Sequence, residues 1–261
     1  MPIELVDSHT HLDATDFDSD REEVIKRALE AGVTRIVTIG AGYGAQSAHN
    51  ALELASKYPF IWASVGIHPH DAKTDHNPDI IRELAANPRA VAIGETGLDF
   101  FRDFAPVELQ EKWFRTQIEI AIEFKKPLII HSREAGEACF KILDEMNAKA
   151  VGGVFHCYAE DSDFAKRLAS INFMISVPGS ITFKKNDKFR EIIKAIPLEQ
   201  IMVETDAPYM APEPNRGKRC ESSFVVDTLA ALSTIKGVSF EEAAQVTTNN
   251  AKRLFNLPSL A

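Results

Sequence analysis

Six residues of this sequence have the types and the placement to hold metal ions: His9, His11, Glu95, His131, His156 and Asp206. Imidazole nitrogen with carboxylate oxygen suits zinc and other divalent transition ions, whereas oxygen-rich sets suit magnesium or manganese. Four histidines and two carboxylates exceed what one tetrahedral ion requires, so two divalent metal ions (Mg2+, Mn2+ or Zn2+) are the simpler accounting, with Glu95 placed to bridge them. Taken singly, each histidine is more often a hydrogen-bonded structural group than a ligand. Their recurrence at one kind of position, just past the C-terminal ends of apolar strands, makes the set significant. The expected chemistry is hydrolysis by a metal-activated water, with Asp206 and Glu95 as catalytic candidates. Asp206 would orient the water and accept its proton, and Glu204 would stand behind a ligand and orient it.

The elements that must position these residues are short β-branched runs alternating with amphipathic stretches. Strands are expected at 3–6, 35–39, 61–65, 90–94, 127–130, 153–155, 172–176 and 200–203, and eight such units separated by helices point to an α/β fold, a closed (β/α)8 TIM barrel. Strand C-termini of a barrel converge on one face, where active sites of this fold are built. Ser19 is expected to cap the first helix, Asp161 a later one, and Ser239 with Glu242 an extra C-terminal helix. His9 and His11 are two apart, so an extended chain presents both rings on one side. His49 and His76 fall outside the pattern and are assigned structural places.

A chain of 261 residues with 45% apolar content can bury one large core, and a single domain spanning 1–261 is expected. The start, MPIELVDSHTHLD, lacks a basic segment followed by an apolar one, and no apolar run approaches the roughly 18 residues of a membrane span. Cys139, Cys157 and Cys220 show no CxxC spacing, which fits a reducing, cytoplasmic setting. A net charge of -9 argues against a protein that coats nucleic acid, but not against an enzyme whose bound cations dominate the local field.

No GxxxxGK loop is present, so a phosphate must be held elsewhere. Barrels use the loops after strands seven and eight for this, and here those loops carry Lys184, Lys185, Arg216, Lys218 and Arg219. With His68 and Arg133 these are the substrate-binding candidates. Phe100, Phe101, Tyr158, Phe183 and Tyr209 lie nearby and have the chemistry to stack on unpaired bases, although packing is the default role of each.

The stretches DSHTHLD (7–13), VGIHPH (65–70), AIGETGLDFF (92–101), PLIIHSREA (127–135), FHCYAE (155–160), SVPGSITFKK (176–185), VETDAPYMAP (203–212), RGKR (216–219) and TTNNAKRLF (247–255) together resemble the TatD family of metal-dependent DNases, within the amidohydrolase-like barrels. The resemblance implies that His9, His11 and Asp206 hold one ion, that His131 and His156 hold the second, and that Glu95 touches both. It also implies a deoxyribonuclease, a 3'-5' exonuclease on single-stranded DNA ends; a monomer or weak oligomer with no membrane partner is expected. Two places depart from the family pattern, Ala159-Glu160 and Cys220-Glu221-Ser222, and both bear on substrate preference. The alternative is an amidohydrolase-like ester or amide hydrolase, such as a D-aminoacyl-tRNA deacylase. Relatives of that kind commonly use a carboxylated lysine as metal bridge, and LIIHS in strand five offers none. A metal-stabilised binding module is the third possibility, disfavoured because structural sites are usually closed tetrahedra.

Overall fold

The computed structural model describes residues 3–42, 44–74 and 76–258. Among them, strands β1 (Leu5–Thr10), β2 (Val33–Gly40), β3 (Ile61–Val65), β4 (Ala90–Asp99), β5 (Leu128–Arg133), β6 (Gly153–Phe155), β7 (Phe173–Val177) and β8 (Ile201–Val203) form one sheet in chain order. Helices α1 (Arg21–Glu30), α2 (Ala45–Lys57), α3 (Pro78–Ala85), α4 (Val107–Phe124), α5 (Gly136–Glu145), α6 (Ser162–Ser170), α7 (Asp187–Ala195), α8 (Val225–Lys236) and α9 (Phe240–Phe255) alternate with the strands, α9 being the extra C-terminal helix. This is the (β/α)8 barrel class expected from the sequence. Ile, Val and Ala fill the strands because parallel strands covered on both faces lose every apolar side chain to the interior; β1, β3, β7 and β8 are buried along their whole length.

The contacts resolve the chain into two compact units. The first takes the described residues of 1–38, 157–166 and 175–261. In it the end of β1 meets the segment after β8 through a parallel bridge between Thr10 and Ala207. The Asp206 N–H donates to the His9 carbonyl at 2.9 Å and the His11 N–H to that of Ala207 at 2.7 Å. Asn250 on α9 donates from its side chain to the carbonyls of Leu198 and Ile201, and Thr248 to that of Glu4, so α9 ties down the outer ends of β1 and β8.

The second unit takes residues 39–156 and 167–174. Two buried glutamines on α4 organise it. Gln117 accepts the Ile67 N–H at 2.7 Å and donates to Thr96 Oγ1 at 2.7 Å, fixing the segment after β3 against β4. Gln110 accepts the Asp99 N–H at 2.8 Å and donates to the carbonyls of Asp99 and Ala105.

Two details differ from expectation. Strands β1, β4 and β5 run further than their apolar stretches, β1 pairing with β2 as far as Thr10 and Thr96 to Asp99 staying in register with Ile130 to Arg133, so His9, Glu95 and His131 sit within strands and not after them. The N-cap of α1 is Asp20 and not Ser19; the Asp20 carbonyl takes the Val24 N–H and its carboxylate binds Arg219. Asp161 and Ser239 do cap their helices, accepting from Phe164 and Glu242 N–H. Cys139, Cys157 and Cys220 are free thiols.

Candidate active site

In the first unit, His9, His11 and Asp206 bring three ligand atoms together. The Nε2 atoms of His9 and His11 each lie 3.5 Å from Asp206 Oδ1. Two donors about 2.1 Å from a shared ion in tetrahedral array lie about 3.4 Å apart, so this spacing fits a divalent ion. Backbone geometry sets it. Asp206 occupies the left-handed region at φ 54° and is pinned to β1 by the pair of hydrogen bonds already described. Behind it, Asp7 accepts from both the N–H and the hydroxyl of Thr205, at 3.0 and 2.7 Å. Burial pushes the Asp7 carboxyl up to about 7. Glu204, fully buried, accepts from the Cys157 N–H at 2.7 Å and from the Ser176 hydroxyl.

The basic candidates of this unit form two neighbouring loops. Lys184, Lys185, Arg216 and Lys218 are exposed, and the Arg216 guanidinium lies 4.2 Å over the Phe183 ring, joining the 183–185 segment to the 216–218 segment. Arg219 is differently placed: it makes a two-pronged salt bridge to Asp20 at 2.7 and 2.8 Å over the Phe17 ring. At the Cys220-Glu221-Ser222 departure, buried Glu221 accepts from Arg27 at 2.7 Å, so these residues anchor the loop. Tyr209 is half exposed and meets His11 edge-on, whereas Tyr158 is buried and is a packing residue.

In the second unit, Glu95 Oε1 is ringed by imidazole nitrogens, with His131 Nδ1 at 2.8 Å, His156 Nε2 at 2.8 Å and His68 Nε2 at 3.3 Å. Burial pushes the Glu95 carboxyl up, but the facing His156, His68 and His131 more than reverse this and hold it well below the usual range. Burial pushes His68 down to about 4, leaving it neutral, as a ligand must be. His131 goes the other way: burial opposes its charge, but Asp99 and Glu95 raise it above the usual value. His68, read from sequence as a substrate contact, stands within ligand distance of Glu95 and His131.

Asp99 was not singled out by the sequence reasoning. Its Oδ2 accepts from His131 Nε2 at 3.0 Å and from His70 Nε2 at 2.7 Å, and burial notwithstanding, these two rings hold its carboxyl below the usual carboxylate range. A carboxylate behind a ligating histidine fixes which ring nitrogen faces the ion; here Nδ1 of His131 is turned to Glu95. The signal was parity: Glu95, Gly97 and Asp99 alternate along β4, so the two carboxylates share a face. Glycine separates them because Gly97 has φ 134° and an added Cβ would stand 2.1 Å from the His131 carbonyl oxygen. Arg133, at the end of β5, is exposed and lies 3.9 Å over the Phe101 ring.

Comparison with known proteins agrees with this chemistry. The family model described as "TatD related DNase" matches residues 6–256. The chain is 42% identical over 255 residues to the "Uncharacterized metal-dependent hydrolase YabD" of Bacillus subtilis (strain 168), covering 97% of this chain and 99% of that one. It is 34% identical over 256 residues to the "3'-5' ssDNA/RNA exonuclease TatD" of Rahnella sp. (strain Y9602), covering 95% and 96%. Among solved structures, YJJV, a TatD homologue from Escherichia coli K12, superposes with a TM-score of 0.90 at 29% identity, covering 99% of this chain and 100% of that one. With histidine and carboxylate clusters spaced to hold divalent ions at strand ends, and with these matches along its length, the chain belongs to the TatD family of metal-dependent hydrolases.

Proposed function

We propose that this hydrolase cleaves phosphodiester bonds of nucleic acid, as a 3'-5' exonuclease on single-stranded DNA ends, with His9, His11, Glu95, His131, His156 and Asp206 as its metal ligands. The observation that carries the reading is the donor geometry: two imidazoles 3.5 Å from one carboxylate oxygen in the first unit, and a buried anionic Glu95 faced by three imidazoles in the second. The printed activity of the Rahnella relative supports the substrate class. In this reading His9, His11 and Asp206 would hold one ion and His131 and His156 another, with Glu95 as a further ligand; neutral His68 is an additional donor. Divalent ions bound there supply a water of lowered pKa and stabilise charge on phosphoryl oxygens. Asp206 orients that water and accepts its proton, and Glu204 braces the segment that carries Asp206. The exposed cations Lys184, Lys185, Arg216 and Lys218 hold backbone phosphates beyond the reacting one, and Arg219, tied to Asp20, holds their loop in place.

The test uses metal-free protein resupplied with Mg2+, Mn2+ or Zn2+ and labelled single-stranded and duplex DNA. Shortening of single strands from the 3' end is expected. The quadruple variant K184A/K185A/R216A/K218A should raise KM and flatten its salt dependence, because each lost phosphate contact removes roughly one released counterion. Turnover of bis-p-nitrophenyl phosphate, too short to reach these loops, should hardly change. No cleavage of any nucleic acid, with hydrolysis of an aminoacyl ester instead, would overturn the reading.

A further inference from the structure

Directly after Asp99, the segment 100–106 presents Phe100, Phe101 and Phe104, each 42–49% exposed. Three exposed phenylalanines within five residues cost solvation unless something covers them in use. Their setting says what that is. Asp99 divides its two oxygens: Oδ2 takes His70 and His131, while Oδ1 accepts the N–H groups of Phe101 and Arg102 at 2.9 and 2.8 Å. One carboxylate thus fixes both a histidine of the metal cluster and the start of the aromatic segment, and Gln110 closes the other end through Ala105. The Phe101 ring lies under the Arg133 guanidinium at 3.9 Å, with Arg102 at 5.2 Å, which holds cations beside the rings. Phe104 meets His70 edge-on at 4.7 Å, and His70 in turn meets His68 at 4.3 Å. A planar aromatic surface flanked by guanidinium groups and braced on the metal cluster matches one ligand chemistry, a nucleobase with its phosphate.

We propose that the 100–106 segment is a stacking subsite for one unpaired base of the substrate, in which Phe104 takes the base and Arg133, over the Phe101 ring, takes the adjoining phosphate. The proposal rests on the nuclease reading above and adds to it a requirement for an unstacked base, which disfavours duplex interiors. Stacking tolerates any sequence because every base has a π-face, so the subsite sets strandedness and not sequence.

The test compares single-stranded oligonucleotides with an abasic position placed at successive steps from the 3' end. For the wild-type protein, one abasic position should raise KM about fivefold or more. Phe104→Ala should raise KM by a similar factor on the intact oligonucleotide and leave KM on that abasic oligonucleotide nearly unchanged, since the partner is already gone. Phe104→Leu, which preserves bulk without the ring, should behave like Phe104→Ala. Metal content and unfolding midpoint should match the wild type. An abasic scan with no sensitive position, or a Phe104→Ala loss equal on both substrates, would overturn the subsite while leaving the nuclease reading standing. Absence of cleavage of every oligonucleotide by the wild-type protein would overturn both.

Discussion

In the unit carrying His9, His11 and Asp206 the histidine nitrogens stand 3.5 Å from the Asp206 oxygen, whereas around Glu95 and Asp99 the carboxylates and imidazoles meet at 2.7 to 3.3 Å. The first cluster is spaced by backbone: a left-handed Asp206, its N–H on the His9 carbonyl, and the His11 N–H on that of Ala207. The second is spaced by side-chain hydrogen bonds among groups that hold one another's charge. An ion entering the first finds its donors already apart. An ion entering the second must replace the contacts between Glu95 and its histidines, and the hydrogen bond from His131 to Asp99 keeps the ring aimed while it does so. Preorganisation by backbone resists substitution of neighbours; preorganisation by a side-chain network depends on each member.

The largest effect expected from this difference is at Gly97, where the network rests on the close approach of β4 to β5. Gly97→Ala should cost about 3 kcal/mol or more, from a positive φ and a clash with the His131 carbonyl together, measured by denaturant unfolding of metal-free protein. A cost below about 1 kcal/mol would show that β4 and β5 can part without harm. Next, Asp99→Asn should weaken metal binding about 10- to 100-fold, measured by titration of metal-free protein with Zn2+, with the weaker of two resolved binding steps affected. Equal weakening of both steps would dissolve the distinction between the clusters.

The difference also shows in the pH dependence of stability, spread over several pH units, which has opposite signs in the two units. His68, pushed down from 6.5 to about 4, is protonated in the unfolded chain before the folded one, so its contribution to stability is lost as pH falls through that window. Asp7, raised from 3.8 to about 7, holds its proton longer in the folded state, so its contribution is lost as pH rises through that window. Each slope is at most about 1.4 kcal/mol per pH unit. His68→Asn should flatten the acid limb of a stability profile taken without metal, and Asp7→Asn the limb between pH 4 and 7; unchanged limbs would contradict the assignment.

Much of this was legible in the sequence. The strands were found because β-branched runs between helix signals leave little choice, and the six ligand candidates because charged groups interrupting apolar strands need a reason. The strand ends were read short because His9, Glu95 and His131 are polar and so resemble loop, although their backbones continue the ladder. Asp99 was missed because it closes a family motif and was read with it, not by its own parity with Glu95. Gln110 and Gln117 look like ordinary helix residues; only their burial under loop backbone gives them a role. Arg219 looked like the other loop cations, and its pairing with Asp20, 199 residues away, has no local sign.

Elemental analysis of metal-reconstituted protein decides whether each of the two clusters holds an ion. The wild type should carry two divalent ions per chain, Asp206→Ala should keep the ion held by His131 and His156, and Glu95→Ala should lose metal occupancy. Two ions retained in full by Glu95→Ala would contradict the role of Glu95 as a ligand, and fewer than two in the wild type would contradict the assignment of an ion to each cluster.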